Sequence, residues 1–278
     1  MRVAYVTTDH PAAEHDDERE IALTAWLGAG IEGSPVNWLD PRVDWSEFDA
    51  AVVRSPWDYI DRRDEFVAWA HRVESVTRLF NPAPVIEWNT DKTYLRTLGV
   101  PTVPTHWPTQ GGDPGADLPD WDEFVVKPAI SAGARDTVRT ADRGAAAGHA
   151  ATLLAAGRTV MVQPYIPSVE QEGELSLLYF GGRFSHAVRR HPMLTGVAET
   201  AENRATLRDP DDDQFALAER VLAAVPENLL YARVDLVRMP DGEPVLIELE
   251  LTEPYLFLRE ELAAPDLFAE TLAEMLKA

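Results

Sequence analysis

One hairpin near the C-terminus constrains this chain more than any other stretch. The segment "YARVDLVRMPDGEPVLIELELTEP", residues 231–254, reads as two strands joined at "PDGE". Side chains alternate along a strand with a period of two, so Arg233 and Asp235 share a face of the first strand. On the second strand Val245, Ile247, Leu249 and Leu251 predict a core-facing row, with Glu248 and Glu250 on the opposite face. Pairing through the turn brings Asp235 toward both glutamates. Three carboxylates on one face repel and raise one another's pKa unless a cation lies among them. An all-oxygen set of this kind suits Mg²⁺ or Mn²⁺. The plainer alternative is an exposed charged face offset by Arg233 and Arg238.

The rest of the chain supplies a setting for that hairpin. Residues 2–7 and 51–53 read as strands, and residues 16–27 and 61–74 as helices, so the opening third alternates strand and helix. Such alternation implies a parallel sheet covered by helices. "LFNPAPVIEWN" carries two prolines and reads as a linker, followed by a short helix over 90–98. After a Pro- and Gly-dense stretch, the pattern changes to strands at 124–128, 160–163, 175–180 and 184–190, with helices at 141–157, 211–225 and 265–276. The expected fold class is α/β plus α+β, in three parts: 1–88, 89–162 and 163–278.

Composition removes several function classes. The 278 residues hold 25 Lys and Arg against 47 Asp and Glu, a formal net charge of −22. That balance argues against a nucleic-acid partner, because phosphate backbones are gripped by clustered cations. There are no cysteines, which excludes disulfides and thiolate chemistry. No apolar run approaches the roughly 18 residues of a membrane span, and the N-terminus lacks the apolar core of a signal peptide, so a cytoplasmic protein without a membrane partner is expected. The glycine fingerprint of dinucleotide-binding folds, the phosphate-binding G-x-x-x-x-G-K-[ST] loop, G-x-S-x-G and H-E-x-x-H are all absent from the sequence.

With so few cations, their placement is informative. Lys127 ends the strand "EFVVK" and precedes "SAGAR", small residues whose backbone N–H groups can approach a polyphosphate. A lysine snorkelling to solvent is the alternative. Lys92, in "WNTDKTYL", reads as either a phosphate contact or a solvated lysine in a first helical turn. Gln163 lies in "VMVQPYIP", a strand broken by proline, where free backbone groups suit the edge of an adenine. Glu170, Glu172 and Glu174 follow, any of which could meet a ribose diol.

Together these residues resemble the ATP-grasp superfamily, in its glutathione-synthetase-like and RimK-like branch, over nearly the whole chain. The resemblance implies an N-terminal Rossmann-like (pre-ATP-grasp) domain and two α+β subdomains that clamp ATP. "TDKTYLRTLGVPTVPT" resembles the first phosphate-contacting lysine, at Lys92. "FVVKPAISAGARDT" resembles the second, at Lys127, with the loop of Ser131, Ala132, Gly133 and Arg135 over the phosphates. "VMVQPYI" resembles the adenine-reading hinge, at Gln163, Tyr165 and Ile166. Glu174 falls at the family's ribose-binding carboxylate, with Glu170 as competitor, and "AVRRHP" supplies an arginine at the reacting phosphate, Arg190. Asp235, Glu248 and Glu250 are the implied Mg²⁺ or Mn²⁺ ligands, although the family commonly has Glu-x-Asn where this chain has Glu-Leu-Glu.

The N-terminal "VVRSPWDYIDRRDEFVAW" is similar to a bacterial subgroup that includes the ligase closing O-ureidoserine into a ring. It places Arg54, Trp57 and Asp58 at a strand end as candidate substrate residues. The resemblance implies phosphorylation of a small-molecule carboxylate by ATP and capture by a nitrogen, with Lys127, Arg190 and Arg233 as the catalytic cations. Capture within one molecule gives a ring; capture between two gives an amide or peptide; a non-catalytic ATP-binding module is the alternative of another class. A homodimer is a family-level expectation.

Overall fold

The computed structural model describes residues 1–191, 205–225 and 227–278, so Pro192 of the arginine motif lies outside the described residues. Three sheets carry the architecture. The first is parallel, with strand order β2-β1-β3-β4, from β1 (Arg2–Thr7), β2 (Glu32–Asn37), β3 (Ala50–Ser55) and β4 (Arg78–Phe80). Alternation along β1 and β3 feeds two cores. Val3, Tyr5, Ala50 and Val52 pack with Trp26 of α1 (Arg19–Gly28) and Phe268 of α7 (Ala264–Lys277). Ala4, Val6, Ala51 and Val53 pack with Phe66 and Trp69 of α2 (Arg63–Glu74). Apolar residues on both faces are what a helix-covered parallel sheet requires.

The proline-rich stretch expected to be a linker is instead β4 followed by α3 (Ala83–Asn89). Pro82 occupies the N-cap and Pro84 the first turn, where the missing N–H costs no intrahelical bond. The helix expected over 90–98 reduces to a 3₁₀ turn, Lys92–Arg96, in which the Asp91 side chain accepts the Thr93 N–H.

The second sheet is antiparallel, with β5 (Phe124–Pro128) between β6 (Val138–Thr140) and β7 (Val160–Pro164). It packs on α4 (Arg143–Ala155) through Phe124, Val126, Leu153, Leu154, Val160 and Val162. Gln163 sits on β7 and therefore belongs to this sheet's hydrogen-bond ladder. The third sheet has the order β10-β9-β8-β11-β12, from β8 (Glu174–Phe180), β9 (Arg183–Arg190), β10 (Ala205–Leu207), β11 (Tyr231–Arg238) and β12 (Pro244–Glu250). A short helix, α5 (Ser168–Glu172), leads into β8, and one face of the sheet packs on α6 (Asp212–Ala223) through Leu217, Ala218 and Val221. The segment 101–106 ties the two antiparallel sheets together: Val103 N–H donates to the Leu246 carbonyl, and His106 and Val162 exchange two bonds.

β12 departs from the expected alternation. Asp235 pairs with Glu248, but Leu236 pairs with Leu246, so Ile247 is the extra residue of a bulge. The bulge turns Leu246, Leu249 and Leu251 to the α6 core, while Val245 and Ile247 pack in a separate cluster with Val237 and Ile166. Glu248 and Glu250 keep the face opposite Leu249. Among the described residues no helix is long and apolar enough to cross a membrane.

The first and third sheets are welded through buried polar side chains. Asn81 bonds the carbonyls of Tyr231 and Leu251, Asn89 bonds Leu249 and Leu251, and the Tyr231 hydroxyl donates to the Val53 and Thr252 carbonyls. Glu18 accepts the N–H groups of Leu256 and Leu258 at 2.8 Å each and faces Arg54 at 3.4 Å. Burial pushes the Glu18 carboxyl up to about 7, against the opposing pull of Arg54 and the two N–H donors. An acid whose folded pKa is raised contributes stability that is complete below its unfolded value, about 4.5, and is lost as pH rises through 7. The unfolding free energy of the wild type, relative to Glu18→Gln, should therefore fall by about 2 kcal/mol between pH 5 and pH 8. Urea titrations of both proteins at the two pH values check this, and a difference that grows with pH would reverse the assignment.

Candidate active site

The chemistry-bearing residues meet on the face of the third sheet that turns away from α6. Strand register places them: Glu174 lies opposite Arg190, Ser176 opposite Asp235, Asp235 opposite Glu248, and Arg233 opposite Glu250. Asp235 is fully buried and accepts from Ser176 Oγ at 2.6 Å, Arg190 at 2.9 Å and Arg233 at 2.9 Å. Burial opposes its ionisation, yet Arg190 and Arg233 hold the carboxyl below the usual carboxylate range. Arg233 also donates to Glu250 and, through Nη1, to the Tyr255 carbonyl at 3.2 Å. Burial, together with Glu248, Asp235 and Glu253, pushes Glu250 up to about 8, with Arg233 pulling the other way.

The lysines come from the other side of the cleft. Lys92 is buried, donates to the Ser131 carbonyl at 2.6 Å and pairs with Glu248 at 3.1 Å. Lys127 faces Glu248, Glu174 and Lys92, and burial pushes its ammonium below the usual lysine value. It makes no hydrogen bond or ion pair with a described residue. Arg190 pairs with Glu174 at 2.5 Å and keeps its Nε buried without a partner among the described residues. Two cationic groups thus hold donors in reserve at one place, which suits a polyanion.

The loop after Lys127 is tightly turned. Gly133, Ala134 and Asp136 lie in the left-handed region, with φ of 60°, 56° and 56°, and the Arg135 and Thr137 N–H groups close turns onto the carbonyls of Ala132 and Ala134. Arg135 reaches Asp61 beside α2 at 2.8 Å, an exposed pair that spans the cleft mouth. At the hinge, Ile166 is buried and its N–H has no partner within the described chain, which leaves it for a ligand acceptor. The Tyr165 N–H, by contrast, is used by the Glu123 carbonyl at 2.9 Å, and the Gln163 side chain by Thr105. Glu170 takes the Tyr165 hydroxyl and Arg139, whereas Glu174 stands against Arg190.

Two of the expected substrate residues have other partners. Arg54 is 3% exposed, donates to the Pro254 carbonyl at 2.7 Å and lies over the Tyr231 ring, so it braces the weld between sheets. Asp58 accepts the Trp38 indole N–H at 2.9 Å. Trp57 is half-buried beside it. Arg238, the alternative counter-charge for the glutamates, pairs instead with Asp211 and Asp213. Sequence reasoning missed Ser176, Asn81, Asn89, Tyr59 and Glu253. Small polar residues in apolar strands and helices were the available signal for the first three.

For a divalent cation, Asp235, Glu248 and Glu250 offer hard oxygen donors on adjacent strand positions. Among the described residues no three acidic or imidazole groups are gathered as a ready cage. Arg233 and Lys92 stand between the carboxylates and supply the positive charge. The donor chemistry fits Mg²⁺ or Mn²⁺, provided these side chains turn from the cations to the ion.

The sequence and fold match known proteins. A sequence profile for the N-terminal domain of D-cycloserine synthetase DcsG matches residues 3–81. The cycloserine biosynthesis protein DcsG of Streptomyces lavendulae is 39% identical, with all of both chains covered. The chain belongs to the D-cycloserine synthetase family. The crystal structure of D-cycloserine synthetase DcsG superposes with a TM-score of 0.91 at 38% identity, covering 99% of this chain and 100% of that one. The fold is that of ATP-grasp ligases. A RimK-domain ATP-grasp protein from Sphaerobacter thermophilus gives a TM-score of 0.69 at 19% identity, covering 100% of both chains. D-alanine–D-alanine ligase from Bacillus anthracis gives 0.68 at 16%, covering 100% and 97%. As a member of this family the chain is an ATP-dependent ligase that forms carbon–nitrogen bonds.

Lys127 separates binding from stability. Its ammonium is desolvated without an internal partner, so Lys127→Met removes no contact of the folded chain. The melting temperature should hold or rise, while ATP affinity by calorimetry falls about 10- to 100-fold, the worth of a charge-assisted hydrogen bond. Unchanged ATP affinity would remove Lys127 from the nucleotide site.

Proposed function

We propose that this protein closes O-ureidoserine into cycloserine with ATP. The full-length relationship to the Streptomyces lavendulae cycloserine protein carries this reading, and the site's charge arrangement supports it. Lys92, Lys127 and Arg190 bind the β- and γ-phosphates of ATP. Ile166 N–H takes an acceptor of the adenine ring, and Glu174 or Glu170 takes the ribose. Asp235, Glu248 and Glu250 would hold Mg²⁺, which when bound neutralises phosphate charge. The loop 131–135 covers the nucleotide and excludes water.

Arg233 orients the substrate carboxylate in line with the γ-phosphorus. One carboxylate oxygen attacks, the bond to the β,γ-bridging oxygen breaks, and ADP leaves. The resulting acylphosphate carbon is then attacked by the ureido nitrogen bound to oxygen, which gives up its proton as phosphate departs and the ring forms; water then removes the carbamoyl group from that ring nitrogen, releasing it as carbon dioxide and ammonia. The protein contributes positioning and fixed charge to both steps rather than a covalent group.

Mass spectrometry of a reaction containing Mg-ATP and O-ureidoserine checks the reading. Cycloserine, ADP, phosphate and the ammonia from the released carbamoyl group should appear together, with no need for a second amine. A product formed only when a second amino acid is added would mean intermolecular ligation instead.

A further inference from the structure

The loop that leaves β12 carries a carboxylate that neither the phosphate contacts nor the expected cation ligands account for. Glu253 lies three residues beyond Glu250, between the reacting centre and the N-terminal sheet. Its backbone neighbourhood is fixed from every side. Thr252 receives the Tyr231 hydroxyl, Pro254 receives Arg54, Tyr255 receives Arg233, and the N–H groups of Leu256 and Leu258 are held by Glu18. The Glu253 side chain meets the Tyr59 hydroxyl and faces Lys92, Arg233 and Glu248.

Its charge is the unusual feature. Every other carboxylate of the centre has a cation bonded to it: Asp235 has Arg190 and Arg233, Glu250 has Arg233, Glu174 has Arg190, and Glu248 has Lys92. Glu253 makes no ion pair with a described residue. Arg233 and Lys92, which it faces, are bonded to other groups. Burial pushes its carboxyl up, with Tyr59 and Lys92 opposing. An anion held in this way is costly unless something outside the chain compensates it. The loop does not need the charge, because its backbone bonds come from other side chains.

We infer that Glu253, seated on the Tyr59 hydroxyl, binds the α-ammonium group of the substrate and so selects an amino acid over a simple carboxylate. The inference rests on the ligase reading above. In an α-amino acid, a single carbon separates ammonium from carboxylate. With the carboxylate held at Arg233 for phosphorylation, the ammonium can face the N-terminal sheet, where Glu253 and Tyr59 lie.

The test uses the full-length protein, Mg-ATP and two substrates: O-ureidoserine and the same acid with hydrogen in place of the amino group. ADP release is followed for wild type, Glu253→Gln and Tyr59→Phe, with Mg²⁺ varied. The wild type should prefer the amino substrate. In Glu253→Gln the KM for the amino substrate should rise about tenfold or more, the loss of one charge-assisted contact. Its preference over the des-amino acid should collapse, with the KM for ATP and the Mg²⁺ requirement unmoved. Tyr59→Phe should shift preference the same way by less. A preference retained in Glu253→Gln overturns the inference, as does a raised Mg²⁺ requirement with the preference intact, which would make Glu253 a cation ligand. No turnover of either substrate by the wild type would overturn the ligase reading and the inference with it.

Discussion

Three carboxylates can share one face of the third sheet because the Arg233 guanidinium lies among them. Its Nε and Nη2 hold Asp235, Nη2 also holds Glu250, and Nη1 holds the Tyr255 carbonyl. Without that charge, Asp235 would be a fully buried anion with Arg190 and Ser176 as its remaining partners. Cross-strand register makes the arrangement compulsory: Arg233 is directly opposite Glu250, and Asp235 is directly opposite Glu248. The Ile247 bulge then lets Leu246 and Leu249, three residues apart, both face the core while Glu248 and Glu250 stay on the opposite face. In the proposed reaction the same cation that steadies the carboxylates also receives the substrate carboxylate. Binding a divalent ion and a substrate would therefore be exchanges of charge partners rather than the creation of new buried charge.

A second constraint fixes how the halves of the cleft face each other. Asn81, Asn89, Tyr231, Arg54 and Glu18 bond the backbone of residues 249–258 from the N-terminal side. The end of β12 is thus a shared part of two layers, and its glutamates have little freedom to drift. The second sheet is joined by the 101–106 segment, by Ala129 and Met161 in the α6 core, by the Lys92 N–H to the Ala129 carbonyl and, at the cleft mouth, by exposed contacts such as Arg135 with Asp61. Exposed pairs of this kind contribute about 0–1 kcal/mol. The carboxylates thus stand on the sheet welded to the N-terminal layer, and Lys127 stands on the separate sheet that faces them.

Much of this was legible in the sequence. The hairpin around "PDGE", the strand ending in Lys127 and the broken strand at Gln163 all appear where residue patterns place them. Strong alternation and turn chemistry are local signals that tertiary contacts did not override. Three features were not legible. Prolines 82 and 84 read as a linker because a proline at the head of a helix and a proline in a loop look alike from sequence. The bulge at Ile247 left no trace, since Ile, Leu and Val fit either face. Arg54 and Asp58 read as ligand contacts because a polar residue at a strand end looks the same whether it meets a ligand or braces a neighbour. Glu253 lay in view, in "LTEP", but its significance depends on which cations are already taken, and that is a property of the folded charge network.

In the proposed reaction the substrate carboxylate is phosphorylated on this sheet face before nitrogen attacks. Transfer of ¹⁸O tests it directly. With both carboxylate oxygens of O-ureidoserine labelled, each phosphate released should carry one ¹⁸O and the ring product should retain one. Phosphate free of ¹⁸O, with product still formed, would contradict it, because the carboxylate oxygen would then never have been bonded to phosphorus.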